Sequence, residues 1–481
     1  MNPSVTPTKH EVEGWLPMPQ DVAGIVYAYL GNPFVTTWEV GKSGIIRLPI
    51  TELIMAGGVK ESLDFVVDWG DGSNGRFHEF NYRLSDLTHM YSAAGQYSVH
   101  ITGMLGRFFF DGSRKMGLSS ITSDFDNGVP VYASCEQLLC VSQWGCFQCF
   151  SGAFRGCTEL NVTARDAPEL KDAKDLSMMF AGCASLRKED FSSWDTSGVT
   201  NMRDMFHGCV QFDGSVSSWS TGSVTDMSGM FAGCHLFTGD LSHWNTGCVT
   251  DMSSMFEKCA SFNGDLSHWA TGKVTTIRRM FHGCTSFQGG GLRSWDTSQV
   301  VDMRHAMFRC TVFNGDLCTW STGSVRVMDC MFSGCSAFRG GDLRGWRIHR
   351  VTSMEEMFSG CRLFQGDLSS WNTGACKYMC SMFEDCSSFN GDLRRWDTKK
   401  VVNAHHMFHG CVSFNGDLSS WDMGNLDLVY FEDFEATVDC ILGGKDSVIP
   451  QDFRPRRRVN RLRSGKRWRK LSRSRSRSRS Y

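Results

Sequence analysis

The sequence predicts an α/β repeat solenoid with repeats of about 25 residues, an all-β sandwich before it and a disordered basic tail after it. Three observations carry this. A Met-Phe pair followed by Cys recurs from Met179-Phe180-Cys183 to Met407-Phe408-Cys411, and a degenerate copy at Phe154 and Cys157 brings the total to 11. Successive Phe positions lie 24 to 27 residues apart, and self-similarity at a fixed period marks stacked architectures. Residues 34–110 hold β-rich runs separated by Gly, Asn and Ser, whereas residues 454–481 hold 14 Lys or Arg and no acid. The rest of the chain then carries 35 basic against 51 acidic residues, so a net charge of −2 hides an acidic body and a basic end.

Residues 1–33 begin with a polar stretch. From Gln20, Val22, Ile25, Val26, Tyr29 and Leu30 share one face of a short amphipathic helix. Leu16, Pro17 and this helix faintly resemble the start of an F-box, which implies docking to a ubiquitin-ligase scaffold. Packing of the helix on the next domain is the alternative. No apolar leader is visible in the first 15 residues, and no apolar run is long enough to span a membrane.

Residues 34–110 read as a β-sandwich from FVTTWEV, IIRLPI, LDFVVDWG and YSVHITG. Asp68-Trp69-Gly70-Asp71-Gly72-Ser73, with His89, Tyr91, Gly95, Tyr97 and Val99, resembles a PKD-like domain, in which these positions are structural. Asp68 and Asp71 are turn-formers in this reading, with a bound cation as the rival. Residues 111–152 lead into the array as its N-terminal cap. Cys135, Cys140, Cys146 and Cys149 have C-x4-C-x5-C-x2-C spacing. The C-x2-C half suits zinc, but the remainder is poorly spaced, and cap cysteines on an apolar segment are the plainer reading.

Residues 153–422 form the array. In the unit from Val249, the apolar positions Val249, Met252, Met255, Phe256, Cys259, Phe262, Leu266 and Trp269 exceed what one unit can bury, so like must stack over like. Ten tryptophans recur in register from Trp194 to Trp421, each burying about 150–250 Å². The spacing of Val-Thr-x-Met-x-x-Met-Phe predicts a short helical turn. Phe-x-Gly-Asp-Leu-x-x-Trp is expected to carry a strand, with Gly264, Gly315 and Gly391 supplying positive φ and the following Asp bonding its own backbone. The once-per-repeat cysteines read as reduced, buried thiols. Gly289-Gly290-Gly291 and Gly340-Gly341 enlarge turns, and the Met307-Phe308 copy reads as a local insertion and deletion. Arg203, His207, Gln211, Arg278, Arg279, His282, Arg304, His305, His405, His406 and His409 face solvent by the repeat logic. The last three have helical metal-ligand spacing, although a solvated face is the simpler reading.

The motif SWDTSGVTNMRDMF, residues 193–206, resembles the BspA-type leucine-rich-repeat surface proteins almost letter for letter. The resemblance implies a right-handed leucine-rich-repeat-like solenoid used for adhesion or protein binding, with no catalytic residues. A PKD-like module before the repeats accords with it.

Residues 423–450 break the repeat and read as a C-terminal cap. Residues 451–481 are a tail whose composition predicts disorder. Arg456, Arg457, Arg458, Lys466, Arg467, Arg469 and Lys470 form basic clusters, and Arg473, Arg475, Arg477 and Arg479 alternate with serines in a run that resembles the RS domains of splicing factors. Such a tail suits nuclear targeting or salt-sensitive binding of RNA or another polyanion. Phosphorylation of Ser472, Ser474, Ser476 and Ser478 would offset its charge.

No phosphate loop, zincin helix or nucleophile elbow is present. The sequence therefore predicts a non-catalytic interaction scaffold, without cofactor or metal, that binds a protein partner on the solenoid face. A cytoplasmic or nuclear setting is expected. The alternatives are a cell-surface adhesion protein and an F-box-like substrate receptor.

Overall fold

The computed structural model describes residues 32–51, 64–78, 87–104, 107–108, 125–126, 129–130 and 135–426. The segment 15–31, most of the C-terminal cap and the whole tail lie outside these residues. The strands are β1 Phe34–Val40, β2 Ile45–Arg47, β3 Ile50–Thr51, β4 Asp64–Asp68, β5 Asn74–His78 and β6 Thr88–Met90. They continue with β7 Gly95–Met104, β8 Arg107–Phe108, β9 Phe125–Asp126, β10 Val129–Pro130, β11 Leu138–Gln143 and β12 Asn161–Val162.

One sheet has the order β12-β11-β1-β7-β4-β5. Alternation sets its faces: in β4, Phe65 and Val67 point inward while Asp64, Val66 and Asp68 are half-exposed. Trp38, Phe65, Val67, Val99 and Ile101 form its core. β1 pairs antiparallel with β7 and with β11. β11 comes from the stretch read as a cap, and it pairs in parallel with β12 at Val141↔Val162, inside the first repeat. The sheet therefore runs directly into the array.

In the array, each repeat stacks on the next through an isolated parallel bridge at the residue after Val-Thr or its equivalent: Asp226, Asp251, Thr276, Asp302, Val327, Ser353, Tyr378 and Asn403. This corrects the expected strand position, because the Phe-to-Trp stretch is irregular in most repeats. Among the described residues the α component of the expected α/β class is also absent. The one helix among the described residues is a 3-10 turn at Leu292–Ser294. The expected helical turn is a wider turn in which two residues per repeat take positive φ. Ser254 (55°) and Lys258 (64°) do so in one repeat, Arg279 (57°) and Gly283 (75°) in the next. A left-handed residue ends a helix, and here it turns alternate N–H groups toward the neighbouring repeat. Ser254, Phe256 and Lys258 donate to the carbonyls of Arg278, Met280 and His282 at 2.8, 2.9 and 2.6 Å, while Glu257 and Cys259 close local turns onto Ser254 and Phe256.

The side chains follow the same register. Phe206, Phe231 and Phe256 stack at 5.8 and 5.9 Å, and the successive tryptophans from Trp194 to Trp244 and from Trp269 to Trp421 stack at 6.0–6.5 Å. From Trp219 onward each Trp ring also donates its N–H to a carbonyl one repeat back, as Trp269 does to Leu241 at 3.1 Å. The column cysteines are free and buried. From Cys183 onward their S–H groups donate to a carbonyl one repeat back, as Cys284 does to Phe256 at 2.9 Å. They are therefore more than small hydrophobes, and burial raises their pKa.

Two local expectations change. Gly264, Gly315 and Gly391 are not among the positive-φ residues. Glycine is needed there because a Cβ would meet the Phe ring two residues earlier, at 2.8 Å from Phe389 Cε2 in the case of Gly391. Asp265 does bond its own backbone, accepting from Ser267 N at 3.0 Å. The Met307-Phe308 copy contains no indel. Ala306 and Met307 fill the buried Met and Phe positions, and Phe308 is displaced to the surface. The hydrogen bonds agree, with Met307 donating to Met331 O and Gly283 to Phe308 O. No helix among the described residues is long and apolar enough to cross a membrane.

Two predictions follow from the columns. Gly391→Ala must displace Phe389, which lies 4.2 Å from Phe383 and 5.8 Å from Phe414; overpacking of this kind costs about 1–3 kcal/mol, measurable by denaturant unfolding. Thr271 donates from Oγ1 to Asp296 O at 3.0 Å, whereas the buried Thr322 hydroxyl has no partner. Thr271→Val should therefore cost about 1 kcal/mol and Thr322→Val nothing, or should stabilise.

Candidate interaction surface

The wide turn of each repeat carries four positions off the core columns, the two residues after the first Met of the motif and the two before the Cys; small residues there, such as Ser228, Ser333 and Ser381, are buried, and long ones reach the surface. The core columns barely vary, and these positions do. Counting the degenerate copy at Phe154 as repeat 1, repeats 6 and 7 contribute Arg278, Arg279, His282, Arg304, His305, Phe308 and Arg309, beside Lys258 of repeat 5. Repeats 8 to 10 contribute Asp329, Cys330, Glu355, Glu356, Glu384 and Asp385. The parallel ladder places these on one face, basic and then acidic along the stack.

Phe308 is the centre of the basic half. Its ring lies 4.7 Å from the His282 ring and 5.5 Å from that of His305. The Arg309 guanidinium sits over it at 5.2 Å, a cation–π contact. Arg279 Nη1 reaches Glu257 Oε1 at 3.2 Å, and Arg304 grips Asp302 in a fork at 2.6 and 3.0 Å. Arg279 Nε, His282 Nδ1 and His305 Nδ1 are buried with no hydrogen-bond partner. The expectation that His282 and His305 face solvent is therefore corrected: both are half-buried against Phe308, and the His282 side chain is 18% exposed. Burial lowers the pKa of His282 to about 4; Glu257 opposes the shift, and Arg279, His305 and Lys258 assist it. His305 is lowered by burial and then by Arg279 and Arg278.

In the acidic half, Asp329 Oδ1 accepts from Glu355 N at 3.1 Å and from the Ser353 hydroxyl. Burial, then Asp329 and Glu356, raise the pKa of Glu355. Among the described residues, no cation pairs with Asp329, Glu355, Glu356 or Asp385. Further along, the His405 and His406 rings stack at 3.7 Å, and His409 Nδ1 lies 3.9 Å from Glu384 Oε1. Arg203 and His207 lie at the other end of the face, both beside Asp204.

The other singled-out groups are held locally. Asp68 and Asp71 cap their own turn, accepting from Gly70 N and Ser73 N at 3.0 Å each. Asp71 also meets His89 Nε2 at 2.7 Å, His89 stacks on Trp69, and the Tyr91 hydroxyl donates to Trp69 O at 2.9 Å. Cys140 Sγ lies 3.3 Å from Thr163 Oγ1, Cys146 donates to Ile101 O, and Cys149 is buried. Among the described residues, no three His, Cys, Asp or Glu side chains are grouped so as to hold a metal ion. The basic and phosphorylation-candidate residues between Arg456 and Arg479 lie outside the described residues. Sequence reasoning missed Phe308, and the available signal was its distance from Cys310, two residues where other repeats have three.

His282 gives a pH prediction. Its folded pKa lies below the ordinary 6.5, so the unfolded chain binds the proton first as pH falls. Its contribution to stability is complete above pH 6.5, declines between 6.5 and about 4, and levels off below that. In His282→Gln that part of the decline should disappear from melting temperatures measured across the window.

A family model described as "Mycoplasma protein of unknown function, DUF285" matches residues 174–290, 257–342 and 333–437. No curated protein matches the chain. The matched segments span more than half the sequence and contain both halves of the charged face, so the chain belongs to this family of BspA-like repeat proteins.

Proposed function

We propose that the chain is a non-catalytic protein-binding scaffold whose repeats form a leucine-rich-repeat-like solenoid. The observation that carries this is the contrast between fixed core columns and a variable outer face. Phe, Trp and Cys repeat nearly unchanged, while the first position after Met runs Arg304, Asp329, Glu355, Cys380, His405 over five successive repeats. A surface laid over an invariant frame is what a recognition array requires. The half-exposed Phe308, with the Arg309 guanidinium over its ring, supplies an aromatic anchor of the kind that dominates interface energies.

In this reading the N-terminal sheet is a PKD-like module. The His89, Trp69 and Tyr91 cluster supports it, because the motif residues pack on one another. The tail 451–481 adds targeting or attachment to RNA or another polyanion, by charge alone. The unpaired, hydrogen-bonded thiols favour a reducing compartment, and cell-surface adhesion is the rival, favoured by the family likeness.

The test uses the full chain as bait in an extract of its own cells, beside Arg304→Ala on the face and Ser242→Ala away from it. A specific partner lost with Arg304→Ala and kept with Ser242→Ala is the expected result. No retained partner, or equal retention by all three baits, would overturn the reading. Removal of residues 451–481 should leave that partner bound and abolish RNA retention.

A further inference from the structure

The charges on the wide-turn face are arranged about a point between repeats 7 and 8. We infer that this face pairs with the same face of a second copy of the chain, antiparallel, about a two-fold axis in the contact plane between those two repeats. The inference rests on the reading of the array as a binding surface, and it names the partner.

The geometry is restrictive. An axis that lies in the contact plane and crosses the stack reverses the order of the repeats but keeps each lateral column opposite itself. Repeat 7 then meets repeat 8 of the second copy, repeat 6 meets repeat 9, and repeat 5 meets repeat 10. In the first column after Met, Arg304 faces the second copy's Asp329, and Arg278 faces its Glu355. In the second column, Arg279 faces its Glu356. In the column before Cys, Lys258 faces its Asp385. Each pairing occurs twice by symmetry. The four carboxylates are those with no cation partner among the described residues, and Arg278 is exposed with no carboxylate bonded to it. Glu257 falls opposite Glu384, the one like-charge pairing in this register; Arg279 Nη1 lies 3.2 Å from Glu257, and His409 Nδ1 lies 3.9 Å from Glu384. Phe308 lies half a repeat from the axis, across from the second copy's Ser333, where its exposed part would be covered.

No other shift of register does as well. Moving the axis by half a repeat toward the C-terminus, onto repeat 8, brings Arg278 against Cys380 and Arg304 against Glu355, and leaves Asp329 facing itself. Moving it the other way brings Arg304 against itself. Like charges placed directly opposite one another across a contact are costly, so the charge order itself selects the register.

The test is the mass of the full-length chain by sedimentation equilibrium at low and at physiological salt. A dimer that weakens as salt rises is expected. Arg278→Glu alone and Glu355→Lys alone each place like charges opposite one another twice, and each should weaken the dimer about tenfold or more. An equimolar mixture of the two variants restores both contacts, as does a single chain carrying both substitutions, so both samples should regain the dimer. Recovery in the mixture also shows that the variants fold. A monomeric wild type at high micromolar concentration overturns the proposal, as does a dimer indifferent to either substitution or a mixture that fails to recover. A monomer that still loses its foreign partner with Arg304→Ala would overturn only the self-pairing and leave the scaffold reading standing.

Discussion

The array depends on one hydrogen-bonding arrangement. In each wide turn, two left-handed residues direct alternate N–H groups out of the repeat and onto the carbonyls of the next. A helix would have spent those donors internally. Here they tie repeat to repeat, so the vertical register is fixed by the backbone before any side chain is considered. Phe over Phe, Trp over Trp and Cys S–H to carbonyl are then consequences of a register already set. Each adds about 0.5–1.5 kcal/mol at the ring contacts, and together they make neighbouring repeats interdependent. Left-handed backbone costs a non-glycine residue about 1–2 kcal/mol, and the outward bonds offset that cost at Ser254, Arg279, His305 and Glu356.

Much of this was legible in the sequence. The period, the buried columns and the β-rich start all follow from residue pattern, because burial repeats whenever the backbone does. The turn was not legible from periodicity. Met252, Met255 and Phe256 share a face in a helix and share one equally in this turn, so apolar spacing alone does not separate the two. The glycine before the Cys was the unused signal: Gly182, Gly208, Gly233, Gly283, Gly334, Gly360 and Gly410 hold that place in most repeats, and all have positive φ. The opposite error was made at Gly264, Gly315 and Gly391, where glycine was read as conformational and is in fact steric. The charged face was half legible. Its residues were recognised as variable and outward, but their order along the stack becomes a pattern only once each is assigned to a column. The two half-buried histidines depend on Phe308, which the repeat alignment had placed in the core.

The same backbone regularity explains why function resides on the surface. A core built of fixed columns tolerates little change, and the positions that point away from it are constrained only by solubility and by what touches them. The N-terminal sheet is joined to this frame through β11 and β12 rather than suspended from a linker, so whatever the first module presents is held in a defined relation to the start of the array.

The replacement of phenylalanine by Met307 has a mechanical consequence. The ring stack that runs unbroken below it stops at Phe281 and resumes at Phe332, and the neighbouring Phe313 tilts by 39° against Phe338 to fill in. At this level a flexible thioether stands where every other layer has a flat, rigid plate. Cohesion across this layer therefore falls to the Phe313 and Trp320 columns and to the backbone bonds, which run through it without a break.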